Sequence, residues 1–522
     1  MDAEGASARR LPLIKRRKES AVKTVVDVKT MRESDAATIA AGTSGRELMY
    51  RAGVGVCQSY PWQGPVAIVC GSGNNAGDGY VLATLLHKLQ IPCTLFLLAE
   101  RFSRDGAYYF EQCREQNIPY VLCNGDTDFS PYTEIVDCIF GTGFQGEVTG
   151  LAAEVIAKIN QSGKAVIAVD INSGLSGDSG QGSLCVESAL TVSIGFYKSG
   201  HFLGNAKDVI GALCNVDIGI GLHGKAFHLV EAADLRGVFG RRKQNSHKGN
   251  YGYVSILGGC KEYSGAVKLA NLSCAALRAG CGVAQLILPT SVSDSVSPYL
   301  LESTLALLPD EGGHMCFDPH ALDRVLARQK ALSVGMGWGR SDHYVSILRH
   351  ILQNYAMPVV IDADGLNTLA EMDGSVLKNT KCDVILTPHL KEFERLSGVP
   401  MAEIQTDPIC YAENYAKAHG VILLLKGACT VVTDGEITHL INRGCAGMAT
   451  AGSGDVLSGV LAGLLGFASP TPLTVACGAY VAGRAGELAE QAVNPISMTA
   501  ADTVAHIGAA VSELLQANRE RE

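Results

Sequence analysis

The sequence contains no Cys-x-x-Cys pair, although 17 of its 522 residues are cysteine. Zinc ribbons and thioredoxin-type redox sites depend on such closely spaced pairs, so the pattern argues against both classes. The number of cysteines is odd, and several lie in apolar segments, among them Cys70 and Cys138. We therefore expect reduced, buried thiols in a cytoplasmic enzyme.

Long apolar segments and an excess of positive charge are also missing. The longest apolar run, near residues 456–468, is interrupted by glycine and is too short to span a bilayer. No apolar stretch follows the basic residues of segment 1–24, which we interpret as a solvated tail, with a partner-binding arm as the alternative. The net charge of −9 argues against a surface that coats nucleic acid. We expect neither a membrane nor a nucleic-acid partner.

The length predicts two domains, because 522 residues exceed one ordinary hydrophobic core. Strand-like and helix-like segments alternate in both halves, which predicts an α/β fold with mostly parallel sheets. We place a first domain at residues 25–222, a linker at 223–240 and a second domain at 241–522. Predicted strands are 66–70, 93–98, 135–140, 165–169 and 190–195 in the first half, and 253–257, 283–288, 331–334, 359–361, 384–386, 421–425 and 430–433 in the second. Predicted helices of the first half are 36–41, 45–59, 78–89, 104–116 and 151–160.

A glycine-rich loop at residues 71–79 follows the first predicted strand of this set and precedes a helix. Backbone amides at such a strand–loop–helix junction can cradle a phosphate. The loop lacks both the dinucleotide-binding glycine spacing and a Walker lysine. Its Asn74-Asn75 pair and Asp78 add side-chain oxygens to the backbone donors.

Two more strands of the first half end in polar loops, 137–147 and 168–175. Carboxyl-end loops of a doubly wound sheet converge on one crevice, which would bring Asn75, Asp137 and Ser173 together. Their oxygens suit a hard cation. Each residue by itself could instead be an ordinary turn or cap residue.

The second half contains a phosphate cradle with a candidate base. Small residues and glycines at 446–454 run into Asp455, and an apolar helical pattern follows. The amides near Gly452 and Gly454 can hold an anion, and Asp455 can receive the proton of a hydroxyl that attacks phosphate. Lys426 can neutralise phosphate charge. A glycine-capped helix without a ligand is the alternative.

Two further polar residues of the second half follow a predicted strand. Glu392 is a candidate to organise Mg²⁺ through water. His389 comes after the strand and before this acid, so it is a candidate for substrate contact or, alternatively, an ordinary buried polar residue.

The three loops of the first half resemble those of the NAD(P)H-hydrate epimerases, over about residues 25–220. The resemblance implies a Rossmann-like three-layer α/β/α domain and a potassium ion near Asn75, Asp137 and Ser173. Our own hypothesis is that Asp170 is catalytic and helps the hydroxyl of the hydrate to depart and return. It implies hydrate binding by Asn74, Asn75, Ala76, Gly77, Asp78, Gly141, Thr142, Gly143, Phe144, Gln145, Gly146, Glu147 and Asp170. Ala76 stands where the family usually has glycine.

The order of motifs from about residue 235 to 515 resembles the ribokinase-like ADP/ATP-dependent NAD(P)H-hydrate dehydratases. The resemblance implies that the hydrate contacts Ala266, Gly337, His389 and Asp455, with Asp455 catalytic. It implies that the adenine nucleotide contacts Lys426, Gly427, Ala428, Cys429, Thr430 and Gly454. The segment 335–339 departs from the usual Gly-Pro-Gly-Leu-Gly at Met336 and Trp338.

Together these resemblances imply a bifunctional repair enzyme for hydrated NADH and NADPH (NADHX and NADPHX). The first domain would interconvert the R and S hydrates. The second would phosphorylate the S hydrate with ADP or ATP and Mg²⁺, and elimination of phosphate would restore the cofactor, with release of AMP from ADP. We expect ADP as the donor and a homo-oligomer as the assembly. The alternatives are a vitamin or sugar kinase for the second half and a silent ligand- or RNA-binding module for the first.

Overall fold

The computed structural model describes residues 23–240, 242–275 and 278–519. The chain forms two compact units that divide between Ala226 and Phe227. The predicted tail, residues 1–24, lies outside the described residues except for Lys23 and Thr24, which begin a strand. In the described part of the chain, no helix has the length and hydropathy that a membrane span requires.

The first unit is a three-layer α/β/α domain, as predicted. Its strands are β1 (Lys23–Val26), β2 (Val66–Cys70), β3 (Cys93–Leu97), β4 (Tyr120–Leu122), β5 (Glu134–Cys138), β6 (Ala165–Val169), β7 (Ser188–Ile194), β8 (Tyr197–Lys198) and β9 (Ile210–Val216). Its helices are α1 (Val28–Ala40), α2 (Gly45–Ser59), α3 (Asn74–Lys88), α4 (Arg104–Glu115), α5 (Gly150–Gln161) and α6 (Ala206–Val209). Alternate residues of β2 face two separate cores, one against α2–α4 and the other against α5.

The sheet of the first unit has the order β4-β3-β2-β5-β6-β7-β9, with every neighbouring pair parallel. The chain builds outward from β2 to β4 and then returns to add β5 on the other side of β2. The direction of strand addition therefore changes between β2 and β5. Ligands of doubly wound sheets bind at this point, at the carboxyl ends of the strands.

The second unit is also α/β. Its strands are β10 (Phe227–Leu229), β11 (Tyr253–Leu257), β12 (Val283–Pro289), β13 (Thr304–Leu308), β14 (Asp310–Glu311), β15 (His314–Met315), β16 (Ala331–Val334), β17 (Val359–Ile361), β18 (Val384–Leu386), β19 (Ile422–Leu425), β20 (Thr430–Thr433) and β21 (Thr438–Ile441). Its helices are α7 (Ser264–Ala275), α8 (Ser293–Val296), α9 (Pro319–Leu326), α10 (Asp342–Asn354), α11 (Asp364–Ala370), α12 (Leu390–Ser397), α13 (Met401–Ile404), α14 (Pro408–His419), α15 (Ser453–Leu465), α16 (Pro472–Ala492) and α17 (Ala500–Arg519).

The main sheet of the second unit has the order β13-β12-β11-β16-β17-β18-β19-β20-β21-β10. It is parallel from β13 to β19, and β20 pairs antiparallel with both of its neighbours. Its change of direction lies between β11 and β16. The nearly continuous apolar face of α15 belongs to the core of this unit.

Several predicted bounds differ from the structure. The helix predicted at 36–41 is the C-terminal part of α1, which begins at Val28 because the Asp27 side chain caps it by accepting the Thr30 amide. The helix predicted from residue 78 begins at Asn74, because the glycine loop is shorter than expected. The strand predicted to reach residue 140 ends at Cys138, where the Asp137 carboxylate accepts the Ile139 amide. The predicted linker 223–240 is not a free connection, since it contains β10, which pairs in parallel with β21.

Candidate active sites

A cleft of about 600 Å³ lies in the first unit at the ends of β2 and β5. Asn74, Asn75 and Asp78 line it from the first turns of α3. Residues 141–144 line it from the loop after β5. Asp170 and Lys198 add a carboxylate and an ammonium, and the other polar lining residues include Arg32, Asp35, Ser72 and Asp105. The cleft therefore joins an amide-rich helix N-terminus to a buried pair of opposite charges.

Asp170 directly follows β6 and has a left-handed backbone, with φ of 68°. Its Oδ1 is bonded to the Lys198 ammonium, and its Oδ2 lies 3.4 Å from the Thr142 amide nitrogen. His201 Nδ1 accepts the Lys198 amide at 3.0 Å, so Nε2 carries the proton and donates to the Asp170 carbonyl at 2.8 Å. A strained backbone held from several sides is typical of functional positions.

The charge states of the cleft follow from burial and from Lys198. Burial opposes ionisation of Asp170, but the charge and hydrogen bond of Lys198 outweigh it and lower the pKa of Asp170. Burial and the Lys198 charge lower the pKa of His201 to about 4, so His201 is neutral. Burial raises the pKa of Asp35 to about 6 and that of Asp78 well above its usual range, and the Asp170 charge adds to both shifts. The cleft thus places the ionised Asp170 carboxylate beside two carboxyls, Asp35 and Asp78, whose pKa values are raised.

Asn75, Asp137 and Ser173 meet beside the cleft around Phe140. Asn75 Nδ2 donates to the Phe140 carbonyl at 2.9 Å, and the Phe140 amide donates to Ser173 Oγ at 2.8 Å. Ser173 donates to Asp137 from its hydroxyl at 2.6 Å and from its amide at 2.8 Å. Asn75 Oδ1 is buried and has no hydrogen-bond partner among the described residues. An unpartnered carbonyl oxygen among oxygen donors is a suitable cation ligand.

The predicted hydrate-binding residues of the first unit divide into three groups. Asn74, Asn75, Asp78 and residues 141–144 line the cleft, whereas Ala76 and Gly77 are buried in α3 behind it. Gly77 leaves room for Met49, because a Cβ there would lie 2.4 Å from the Met49 sulfur. Residues 145–147 are exposed and are not among the residues that line the cleft.

The centre of the second unit is a buried carboxylate, Asp362, which follows β17. Its Oδ1 accepts Lys426 Nζ at 2.9 Å, and its Oδ2 accepts Ser458 Oγ at 2.6 Å. Burial by itself would lower the pKa of Lys426, but the carboxylates of Asp362 and Glu392 outweigh it and raise that pKa. Asp362 therefore fixes a charged ammonium at the carboxyl edge of the sheet.

Asp455 lies in the first turn of α15, and the Lys426 ammonium lies beside this turn. Gly452 caps the helix with φ of 96°, and a Cβ at Gly454 would lie 3.5 Å from Lys426 Nζ. The amides of this turn and the ammonium therefore face the same space. Burial raises the pKa of Asp455 to about 7, and the negative charge of Asp362 adds to the shift. An acid with this pKa can act as a general base near neutral pH.

The loop 335–339 follows β16 and contacts the start of α7. Gly335, Gly337 and Gly339 all have positive φ, and a Cβ at Gly337 would lie 3.1 Å from the Ala266 Cβ. Trp338 points away from this surface into the core, where it stacks on Tyr344 with ring centroids 4.7 Å apart. Ala266 and Gly337 are thus adjacent, as predicted contacts of one ligand would be.

His389 and Glu392 form the cap of α12. His389 Nδ1 accepts the Lys391 and Glu392 amides at 3.1 and 3.2 Å, and Glu392 Oε2 accepts the His389 amide at 2.8 Å. This fixes the proton of a neutral His389 on Nε2. Glu392 Oε2 also lies 3.7 Å from Lys426 Nζ. The Lys426 amide donates to the Pro388 carbonyl at 2.8 Å, which places the loop 427–430 beside this cap.

Several residues of the two sites were assigned no role from the sequence. These are Lys198, His201 and Asp35 in the first unit and Asp362 and Ser458 in the second. A lysine and a histidine inside the mostly apolar segment 192–203 were a usable signal, because buried charged groups are rare unless paired. Asp362 directly follows an apolar strand, which is the same signal that identified Asp137.

Comparison with known proteins identifies a family for each unit. The family described as YjeF-related protein N-terminus matches residues 45–200, and the NAD(P)H-hydrate dehydratase family matches residues 254–508. The bifunctional NAD(P)H-hydrate repair enzyme Nnr of Moorella thermoacetica is 36% identical over 87% of this chain and 90% of its own length. This chain belongs to the bifunctional NAD(P)H-hydrate repair enzyme family. The family membership predicted from the motifs is confirmed.

Other members of the repair enzyme family match as completely. The Nnr protein of Coxiella burnetii is 31% identical over 91% of this chain and 97% of its own length. Among solved structures, the ADP/ATP-dependent NAD(P)H-hydrate dehydratase from Bacillus subtilis, co-crystallized with ATP and Mg²⁺, is 26% identical, with a TM-score of 0.48. That match covers 55% of this chain and 98% of the Bacillus subtilis chain.

Proposed function

We propose that the first unit epimerises NAD(P)H hydrates and that the second unit dehydrates the S hydrate in a nucleotide-dependent reaction. The arrangement of Asp455, Lys426 and the first turn of α15 supports this proposal most strongly. It combines an anion-binding helix N-terminus, a fixed ammonium and a carboxylate whose pKa is about 7. These are the parts needed to deprotonate a hydroxyl and stabilise its phosphorylation.

In the first unit, Asp170 and Lys198 would act on the hydroxyl of the hydrate. Lys198 holds a proton beside the ionised Asp170 carboxylate, at the wall of the cleft. The pair can give a proton to the hydroxyl as its C–O bond breaks, which releases water. It can take the proton back when water adds to the other face of the ring. No nucleotide enters this exchange.

Asn75, Asp137 and Ser173 would hold the potassium ion of the first unit. The unpartnered, buried Asn75 Oδ1 and the Asp137 carboxylate supply oxygen donors that suit a hard monovalent cation. A bound cation would supply positive charge next to the Phe140–Phe144 wall of the cleft. Removal of the cation would leave Asn75 Oδ1 without a partner among the described residues.

In the second unit, Asp455 would accept the proton of the S-hydrate hydroxyl while its oxygen attacks the terminal phosphoryl group of ADP. The new P–O bond forms as the bond to the leaving AMP breaks, and Lys426 and the α15 amides hold the phosphoryl oxygens. Loss of phosphate from the ring carbon and of a proton from its neighbour then restores the dihydronicotinamide. His389 Nε2, Ala266 and Gly337 would contact the hydrate.

The loop 426–430 and Gly454 would hold the nucleotide. Mg²⁺ would neutralise charge on its phosphates, with Glu392 as a ligand through water. Glu392 already accepts the His389 amide and lies near Lys426, so a bridging water fits its position better than direct coordination. We also propose that ADP is the donor, that the protein acts in the cytoplasm and that it is a homo-oligomer. Analytical ultracentrifugation measures the oligomeric state.

Two full-length variants separate the two activities. Asp170→Asn should still dehydrate pure S hydrate at the normal rate but leave R hydrate unconsumed, beyond spontaneous epimerisation. Asp455→Asn should interconvert the hydrates but restore no NADH absorbance. Phosphate must be released as a free product, because a vitamin or sugar kinase would leave it on the substrate. Dehydration of both epimers by Asp170→Asn at equal rates would contradict the division of labour.

A further inference from the structure

Three metal-ligating side chains converge in the second unit, outside the residues assigned to catalysis. They are Glu311 at the end of β14, Cys316 directly after β15 and His343 in the first turn of α10. One ligand atom of each lies within 4.8 Å of the other two. We call these three residues the hairpin cluster. Residues 311 and 316 belong to one short hairpin, whereas His343 comes from a separate helix.

The backbone holds the hairpin cluster in place. β14 and β15 pair antiparallel, with Glu311 opposite His314. Asp310 fixes the hairpin by accepting the Ser291 amide at 2.9 Å, and the Cys316 amide donates to the Pro309 carbonyl at 2.7 Å. Little reorganisation is therefore needed to bring the three ligand atoms onto one ion.

The helix that carries His343 is anchored as firmly. Tyr344, the next residue, is 1% exposed and stacks on the buried Trp338. His343 itself is exposed, so an ion from solvent can reach its ring. The third ligand is thus presented by a rigid helix and not by a loop.

We propose that the hairpin cluster is a zinc site with a water as the fourth ligand. A thiolate, an imidazole and a carboxylate together match the borderline-soft Zn²⁺, which is usually tetrahedral with N, S and O ligands. Mg²⁺ and K⁺ prefer all-oxygen sites, so a thiolate ligand discriminates against them. The site therefore differs in chemistry from the potassium and magnesium sites proposed above.

The hairpin cluster lies next to the loop 335–339, which contains the proposed hydrate contact Gly337. α10 begins three residues after Gly339, and the hairpin touches the same loop, because His314 Nδ1 lies 3.3 Å from the Trp338 carbonyl oxygen. Zinc would tie the hairpin to α10 and thereby fix both neighbours of the loop 335–339. Zinc binding should raise the melting temperature of the protein, since the ion binds only the folded cluster.

Cobalt titration of the chelator-treated, full-length protein tests the proposal. Co²⁺ in a zinc site with a cysteine ligand gives a thiolate charge-transfer band in the near ultraviolet, and Zn²⁺ should displace it with an equivalence of one ion per chain. Cys316→Ser should abolish the band. His343→Ala keeps the thiol and should weaken Zn²⁺ binding by more than about 100-fold, since loss of a group that only orients a ligand already costs about 10–100-fold.

Matched controls remove an exposed thiol or imidazole elsewhere in the unit. Cys410→Ser and His320→Ala should leave the band, the zinc affinity and the zinc-induced rise in melting temperature unchanged. Absence of the band in the wild type, or its persistence in Cys316→Ser, would overturn the proposal. So would equal zinc affinity in His343→Ala and His320→Ala. These readouts do not depend on hydrate turnover, so they stand apart from the proposed function.

Discussion

Lys198 and Asp170 form a salt bridge in which the lysine side chain is 1% exposed and the aspartate side chain 16% exposed. The Lys198 ammonium also donates to the Ile194 carbonyl at 2.8 Å. Breaking such a buried pair leaves a charge without compensation, which is more costly than the loss of a surface pair. The cleft of the first unit therefore depends on Lys198 both for the ionisation of Asp170 and for its own stability.

Lys198→Met should reduce epimerisation by about 10²–10⁴-fold, the usual contribution of a positioned acid–base group. The pKa of Asp170 should rise, since burial then acts on it without the ammonium. The unfolding free energy of the first unit should fall by about 3–5 kcal/mol. Dehydration of pure S hydrate should not change, which tests whether the effect stays within one unit.

Lys88 is exposed, so Lys88→Met is the matched control and should change neither epimerisation nor the free energy of unfolding. The double variant Lys198→Met/Asp170→Asn should recover part of the lost stability, because it removes the unpaired charge, but none of the activity. Normal epimerisation by Lys198→Met would exclude the pair from the mechanism.

Asp137→Asn should raise the potassium concentration that half-saturates epimerisation by about tenfold or more, equivalent to about 1.4 kcal/mol of binding energy. The substitution keeps the shape of the side chain but removes the charge that attracts the cation. Initial rates across a potassium series at constant ionic strength measure this, with dehydration of pure S hydrate as the internal control. An unchanged half-saturating concentration in a folded variant would contradict the proposed ion site.

Gly337→Ala should raise the KM for the S hydrate by about tenfold through displacement of the loop, a cost near 1.4 kcal/mol. Gly337 has φ of 61°, and a Cβ there would lie 2.4 Å from the Tyr263 carbonyl oxygen. Gly265→Ala, two residues after Tyr263 in the chain, meets nothing within 4 Å and is the matched control. Steady-state kinetics of both variants decide whether this loop shapes the hydrate site.

The sequence predicted the strands next to the sites better than it predicted the neighbouring groups that set the charge states of the site residues. Strands 66–70, 165–169 and 331–334 agree with the structure residue for residue, because each is a short run of mostly apolar residues. Nine strands of the described chain were not predicted, namely β1, β4, β8, β9, β10, β13, β14, β15 and β21. Seven of them have only two to four residues, which is too few to show a period. Lys198 approaches Asp170 from 28 residues away, and only the three-dimensional packing of the segment after β7 brings them together.

The charge state of a site residue also could not be predicted from the sequence. The loop 452–455 indicated a phosphate cradle with a carboxylate, but the sequence could not give the pKa of Asp455. That value depends on burial and on the neighbouring Asp362, which follows β17 and lies more than 90 residues earlier in the chain. The residues at a strand end thus predict which chemical groups are present, but they do not predict the pKa values of those groups.

Asp455→Asn should lower the turnover of S hydrate by about 10²–10⁴-fold, the loss expected for a general base. The nucleotide Kd should change little, because Lys426 and the amides of α15 remain. In the wild type, turnover should rise with pH through about 7 as Asp455 ionises. The residual turnover of Asp455→Asn should lack this rise, and a pH series of kcat on both proteins measures the difference.

The same substitution should stabilise the second unit at high pH. The pKa of Asp455 is about 7 in the folded protein and 3.8 for the ordinary group, so the folded state binds the extra proton between these values. Stability is therefore lost as pH rises toward 7, and the ionised carboxylate of the folded protein is fully destabilising above it. Asparagine removes this cost, so the melting temperature of Asp455→Asn should exceed that of the wild type at pH 8, by about 2–4 °C per kcal/mol. Near pH 3 both proteins carry a neutral side chain at this position, and the difference should vanish. A variant that melts below the wild type at pH 8 would mean that Asp455 serves the fold and not the reaction.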